Sequence, residues 1–110
     1  MILRPEEATP RPRAQALKVR AGMPAAVHQY RIQVHDAAGK AYNIEAWGEK
    51  HGNVWYGWLE FLPLGGTAVL RTDRETTQPD WEALKYWASG LEPTYFEGAF
   101  QGAFPAPPSG

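Results

Sequence analysis

Three turn signals, each about a strand's length from the next, constrain residues 27–72 more than any other feature of the chain. "DAAGK" (36–40), "EKHGN" (49–53) and "PLGG" (63–66) each join Gly to polar residues or Pro, the composition that permits a tight reversal. Between them the text alternates. In "HQYRIQVH", Tyr30, Ile32 and Val34 point one way; Gln29, Arg31, Gln33 and His35 point the other. "AYNIEAW" places Tyr42, Ile44 and Ala46 on one face, "VWYGWLEFL" is aromatic on both, and "TAVLRT" supplies a fourth run. A period of two marks strands, and such short connections allow only antiparallel pairing. The expected core is a four-stranded antiparallel meander.

Register follows from the side chains, because a one-residue slip turns a strand inside out. Pairing Val34 with Tyr42 and Ile32 with Ile44 keeps one apolar face and sets Arg31 opposite Glu45. A hairpin at Gly65-Gly66 pairs Leu64 with Thr67, Phe61 with Leu70 and Glu60 with Arg71. Leu59 and Phe61 then face inward. Trp47, Tyr56, Trp58 and Glu60 share the outer face with Arg31, Glu45 and Val69.

After Thr72 the text becomes helical. In "TTQPDWEALKYWASG", Thr77 is the expected N-cap, with Asp80 at the third helical position and Pro79 in the first turn. Trp81, Leu84 and Ala88 fall on one face with Trp87 beside them, Glu82 and Lys85 face water, and Gly90 ends the helix. Trp81 and Trp87 read as structural, with Gly57 leaving room for an indole ring. "EPTYFEGAFQGAF" starts a second helix at Pro93, with Tyr95, Phe96, Ala99, Phe100 and Ala103 at helical spacing. Gly98 and Gly102 weaken it by about 1 kcal/mol each relative to Ala, so something must pack there or the helix frays. The fold class is α+β: the meander, then two short C-terminal helices packed on one face.

Charge divides the chain. Residues 1–26 carry five basic residues (Arg4, Arg11, Arg13, Lys18, Arg20) against Glu6 and Glu7, a net of +3; residues 27–110 carry six basic and ten acidic residues, a net of −4. The first segment, with four Pro, reads as a basic arm with at most a short helical turn around Ala14–Arg20. Residues 27–104 read as one α+β domain and 105–110 as a Pro-rich tail. "MILRPEEATPRPR" breaks into charge and Pro after three residues, which argues against a signal peptide and for a cytoplasmic protein. No run is long enough to span a membrane.

The text "RETTQPDWEALKYWASGLEPTYFEGA", with the "YRIQVHDAAGKAY" hairpin, resembles small, uncharacterised bacterial proteins that share an ETTQP, YWA, GLEP and EGA pattern. The likeness covers about residues 28–103 and brings no activity, cofactor or catalytic residue. It implies that Met23 is an alternative start and the arm an extension.

Chemistry-bearing motifs are sparse. The absence of Cys excludes disulfides, thiolate zinc sites and Cys nucleophiles. His28 and His35 point to opposite faces and His51 sits in a turn, so no metal site is expected. Ser89 and Ser109 stand in no nucleophile motif, there is no phosphate-binding glycine motif, and no cofactor is expected. Arg74, Thr76 and Thr77 are a candidate anion-binding loop at a helix start, with plain capping as the competing reading. Two helices can cover only one face of the sheet, which leaves Trp47, Tyr56 and Trp58, with Arg31 and Arg71, as the candidate binding residues. The bland alternative is that the arm folds back over them.

The first functional expectation is a non-enzymatic interaction module for an unknown protein partner or a homo-oligomer. The second is a small-ligand or single-stranded nucleic-acid-binding domain, in which the aromatics stack and the arginines hold phosphate; the acidic body argues against nucleic acid. The third is a small enzyme using the Asp73–Thr77 loop.

Overall fold

The computed structural model describes residues 23–107. The expected arm, apart from its last residues, and the end of the expected tail lie outside the described residues. Six strands and two helices run in the order β1 (Ala25–His35), β2 (Ala41–His51), β3 (Val54–Pro63), β4 (Leu70–Arg71), β5 (Thr76–Gln78), α1 (Trp81–Ser89), α2 (Pro93–Gln101) and β6 (Phe104–Pro105). All pairings are antiparallel. The sheet order is β1-β2-β3-β4-β6, with β5 also paired to β3. The domain is therefore α+β with an antiparallel sheet and two C-terminal helices, and the expectation of four strands falls short of six.

The missing strands have a local cause. The expected fourth strand, 67–72, pairs only at Leu70–Arg71, with Phe61 opposite Leu70 and Glu60 opposite Arg71, and residues 64–67 form no ladder. At Thr72 the backbone N–H donates to the Leu59 carbonyl at 3.0 Å, and the Leu59 N–H donates to the Thr72 hydroxyl at 3.1 Å. A side-chain oxygen thus takes the place of a ladder carbonyl, and the chain swings out. The Glu75 N–H returns to the Gly57 carbonyl at 2.7 Å, and Thr76–Gln78 pairs with Gly57, Tyr56 and Trp55. Three steps along β3, from Glu60 to Gly57, match five from Arg71 to Thr76, so two residues are looped out. Thr77 is consumed by this strand, which corrects the expected cap: Asp80 is the N-cap, and its carboxylate accepts from the Ala83 N–H at 2.8 Å. β6 closes the far edge against β4, drawing Phe104 and Pro105 into the sheet.

A second excursion corrects the first hairpin. Val34 pairs with Tyr42 as expected, but Gln29, not Arg31, stands opposite Glu45. Four steps along β1, from Gln29 to Gln33, match two along β2. Ile32 falls in that bulge and is 38% exposed, so it does not join Ile44 in the core. Tyr30 takes its place. Its ring lies 4.5 Å from that of Phe96, and its hydroxyl donates to the Ala88 carbonyl at the end of α1, 2.7 Å away, one of the acceptors a helix terminus leaves open. Burial pushes the Tyr30 phenol up, which keeps it a donor.

Both helices pack on one face of the sheet. Phe100 of α2 meets Tyr42 and Phe61 at centroid distances of 5.0 and 5.1 Å. Leu84 of α1 seats where Gly48 and Gly57 stand opposite each other across β2 and β3. Phe61, Phe96, Ile44, Leu59 and Leu84 are the largest fully buried side chains. Trp81 and Trp87, expected to anchor α1, are only half-buried; Trp81 meets Trp55 edge-on at 5.0 Å. Gly39, expected at positive φ, has φ 87°.

A Cβ on Gly57 would lie 2.8 Å from Leu84 Cδ1 and 2.9 Å from Thr76 Cγ2. Leu84 cannot yield, because its other methyl already fills the space over Gly48. Gly57→Ala should therefore cost about 1–3 kcal/mol as overpacking, and Leu84→Ala about 2–5 kcal/mol as a cavity. In a double-mutant cycle by urea unfolding, Gly57→Ala should cost much less once Leu84 is Ala. Equal costs in both backgrounds would remove Leu84 as the obstacle.

Candidate binding face

Alternation sends Glu45, Trp47 and Glu49 of β2, and Tyr56, Trp58 and Glu60 of β3, to the face away from the helices. The ladder sets Glu45 opposite Glu60, Trp47 opposite Trp58 and Glu49 opposite Tyr56. Two like charges thus face each other at the centre, an arrangement that costs stability by itself. Each carboxylate is partly satisfied along its own strand. The Trp47 indole N–H donates to Glu45 Oε1 at 2.9 Å, and the Trp58 indole N–H donates to Glu60 Oε2 at 3.0 Å. Both pairs are two residues apart, the spacing that puts side chains on one face of a strand. Because the strands run antiparallel, the result is a mirrored pair of tryptophan–glutamate units.

Neighbouring elements add to this centre. From β1, the Gln29 amide donates to Glu45 Oε2 at 2.8 Å. From β4, Arg71 stands opposite Glu60, with its guanidinium 4.3 Å from the Trp58 ring centroid, a cation–π distance. Glu60 is held above the ordinary glutamate value, chiefly by burial and in small part by Glu45; the Trp58 N–H and Arg71 oppose the rise. At the edge of the face the Tyr56 ring lies against His51, stacked at 4.3 Å and 20°, and against the Arg74 guanidinium at 4.3 Å. Trp58 is 4% exposed and Glu45 9%.

Of the residues singled out in the sequence, Trp47, Tyr56, Trp58 and Arg71 come together on this face. Arg31 does not join Glu45, because the β1 bulge gives that place to Gln29. The expected anion loop does not assemble: Arg74 lies over Tyr56, Thr76 and Thr77 are consecutive ladder residues of β5, and Asp80 occupies the start of α1. Sequence reasoning noted Glu45 and Glu60 but gave each its own cation and missed that they face each other. The signal was legible as "EAW" in one strand and "WLE" in the next.

Beside the Asp73–Thr77 segment lies a cleft of about 430 Å³, lined by Thr72, Asp73, Glu75, Thr94, Tyr95 and Gly98 among others. Two of its polar side chains are engaged in local hydrogen bonds. The Tyr95 hydroxyl donates to Glu75, burial and that carboxylate push its phenol up, and the Thr72 hydroxyl donates to the Asp73 carbonyl at 2.8 Å. Gly98 opens onto this cleft with no atom within 4 Å of where a Cβ would stand, so the partner expected beside it is not among the described residues. Among the described residues no group of three or more His, Cys, Asp or Glu could hold a metal ion, and no helix is long and apolar enough to cross a membrane. No family model, no curated protein and no solved structure matches the chain.

A carboxylate with a raised folded-state value binds its proton more tightly in the native than in the unfolded chain. Stability therefore falls as pH rises from the ordinary 4.5 through the raised value of Glu60. Urea unfolding across that window should show the fall in wild type and a shallower one in Glu60→Gln, while the Trp58 indole N–H resonance should titrate with the same midpoint. An unchanged slope in Glu60→Gln would assign the titration to another group.

Proposed function

We propose that this domain is a non-enzymatic binding module whose outer sheet face receives a cationic side chain, arginine or lysine, presented by a protein partner. The observation that supports this reading is the opposed Glu45–Glu60 pair lying next to the opposed Trp47–Trp58 pair on the same face. Carboxylates facing each other in a partly buried position are relieved by a cation, and tryptophan faces attract one. An arginine is the better fit, since its planar fork matches a carboxylate and stacks on an indole. Arg71 already demonstrates that stacking on Trp58.

The same charges weigh against the other expectations. A nucleic-acid phosphate would approach two carboxylates on a domain whose residues 27–110 carry a net charge of −4. A two-fold dimer through this face would bring four carboxylates together, because such an interface sets each patch against its own copy. In the cleft beside Asp73 the Tyr95 and Thr72 hydroxyls are both donated to neighbouring groups, which weighs against either as a nucleophile.

Tryptophan fluorescence titrations with an arginine-rich peptide, a glutamate-rich peptide and a short single-stranded oligonucleotide discriminate these readings. Only the first should bind, with an affinity that falls as salt rises. Glu60→Gln should weaken it by about tenfold, which is ~1.4 kcal/mol. Binding of the oligonucleotide in its place would transfer the face to nucleic acid.

A further inference from the structure

α1 and the outermost strand of the sheet form a patch that lies apart from the outer face. Glu82, Lys85, Tyr86 and Ser89 follow the i, i+3, i+4, i+7 spacing of a single helical stripe. With Val27 and His28 of β1 they line a groove of about 430 Å³. Tyr86 is 83% exposed, the highest value among the large apolar side chains described. Beside the groove runs β1, which pairs with β2 alone among the described residues. The other edge of such a strand is a template for pairing with a further chain. The register shifts between Ala26 and His28 and between Gln29 and Gln33 break that edge into short runs. The strand by itself is therefore a weak template, and the flank of α1 must supply the rest.

We propose that this edge and flank bind a second copy of the chain about a two-fold axis that runs perpendicular to the sheet beside Val27 and His28. Such an axis sets β1 antiparallel to β1 and α1 antiparallel to α1, with both helix layers on one side. A two-fold interface must be self-complementary, and this patch is. It holds a projecting ring and a groove together, so Tyr86 of each copy enters the groove of the other. Tyrosine is a frequent anchor at the centre of interfaces. The two formal charges of the stripe cancel. Glu82 and Lys85 lie 3.6 Å apart within one copy, and the antiparallel approach turns Lys85 of each copy toward Tyr86 and Glu82 of the other, for a cation–π contact and a crossed ion pair. The outer face, by contrast, would gather four carboxylates. None of Glu45, Trp47, Trp58 and Glu60 takes part, so the inference is independent of the cation-binding reading. The dimer leaves both outer faces open on the same side of one continuous sheet.

Sedimentation velocity on the full chain across a dilution series tests this. Wild type should pass from dimer to monomer on dilution. Tyr86→Glu should weaken the dimer at least about tenfold, while circular dichroism shows the fold retained, because the side chain it replaces is exposed. Glu82→Lys and Lys85→Glu should each weaken the dimer, since each sets like charges against one another across the axis. An equimolar mixture of these two variants should associate more tightly than either alone, because a stripe with two lysines then meets a stripe with two glutamates. A monomer at every concentration overturns the inference. So does a dimer that Tyr86→Glu leaves intact, which would assign self-association to another surface. A mixture that associates no better than its separate components overturns the two-fold arrangement of α1 against α1.

Discussion

Leu84 seated between Gly48 and Gly57 is the contact on which the rest of the arrangement depends. The two glycines face each other across β2 and β3, and the missing side chains leave a notch that only a neighbouring element can fill. Once α1 fills it, the inward face of the sheet is decided. Ile44, Ala46, Leu59 and Phe61 join that face and are buried. Strand alternation then leaves no choice for the residues between them. Glu45, Trp47, Trp58 and Glu60 must point outward. The chemistry of the outer face is a consequence of how the inner face is packed.

That outer face runs against ordinary sheet energetics. Opposed like charges on the side away from the helices work against stability, and local violations of this kind are expected at functional or strained sites. The cost is lowered without removing the charge. The indole N–H groups of Trp47 and Trp58 and the amide of Gln29 each donate to a carboxylate. Arg71 covers Trp58 rather than neutralising the pair outright. With their N–H groups committed downward to the glutamates, the indoles have only their rings to offer a ligand. The ring faces beside the carboxylates are what motivates the proposed cationic ligand.

Apart from a one-residue shift between Ala26 and His28 of β1, the sheet has two longer excursions, and they share one physical feature. Thr72 substitutes its hydroxyl for a ladder carbonyl, and Tyr30 sends its hydroxyl to the end of α1. In both cases a side chain satisfies a backbone group, and the strand can leave the ladder and rejoin it two residues later. The first excursion carries Arg74 onto Tyr56. The second exposes Ile32 and delivers Gln29 to Glu45. The outer face therefore gains members from β1 and from the β4–β5 connection.

Much of this was present in the sequence, and the rest was hidden for a definable reason. The turns at Gly39, Gly52 and Gly65, the pairs Val34–Tyr42, Phe61–Leu70 and Glu60–Arg71, and the helix over Trp81–Ser89 all follow from alternation, glycine placement and helical spacing, which are local properties. The same alternation put Trp47, Tyr56 and Trp58 on one face. It could not show the excursions. Both insert two residues, and an even insertion leaves the in–out phase of a strand intact, so the periodicity of the text is the same with or without it. Arg31 therefore seemed to face Glu45, and Thr77, which stands in the strand Thr76–Gln78, read as a helix cap. What decided these points was the tertiary structure: the acceptor for Tyr30 is Ala88, 58 residues away in the chain, and the ladder for β5 is offered by Trp55, Tyr56 and Gly57 of β3, across the intervening hairpin and β4.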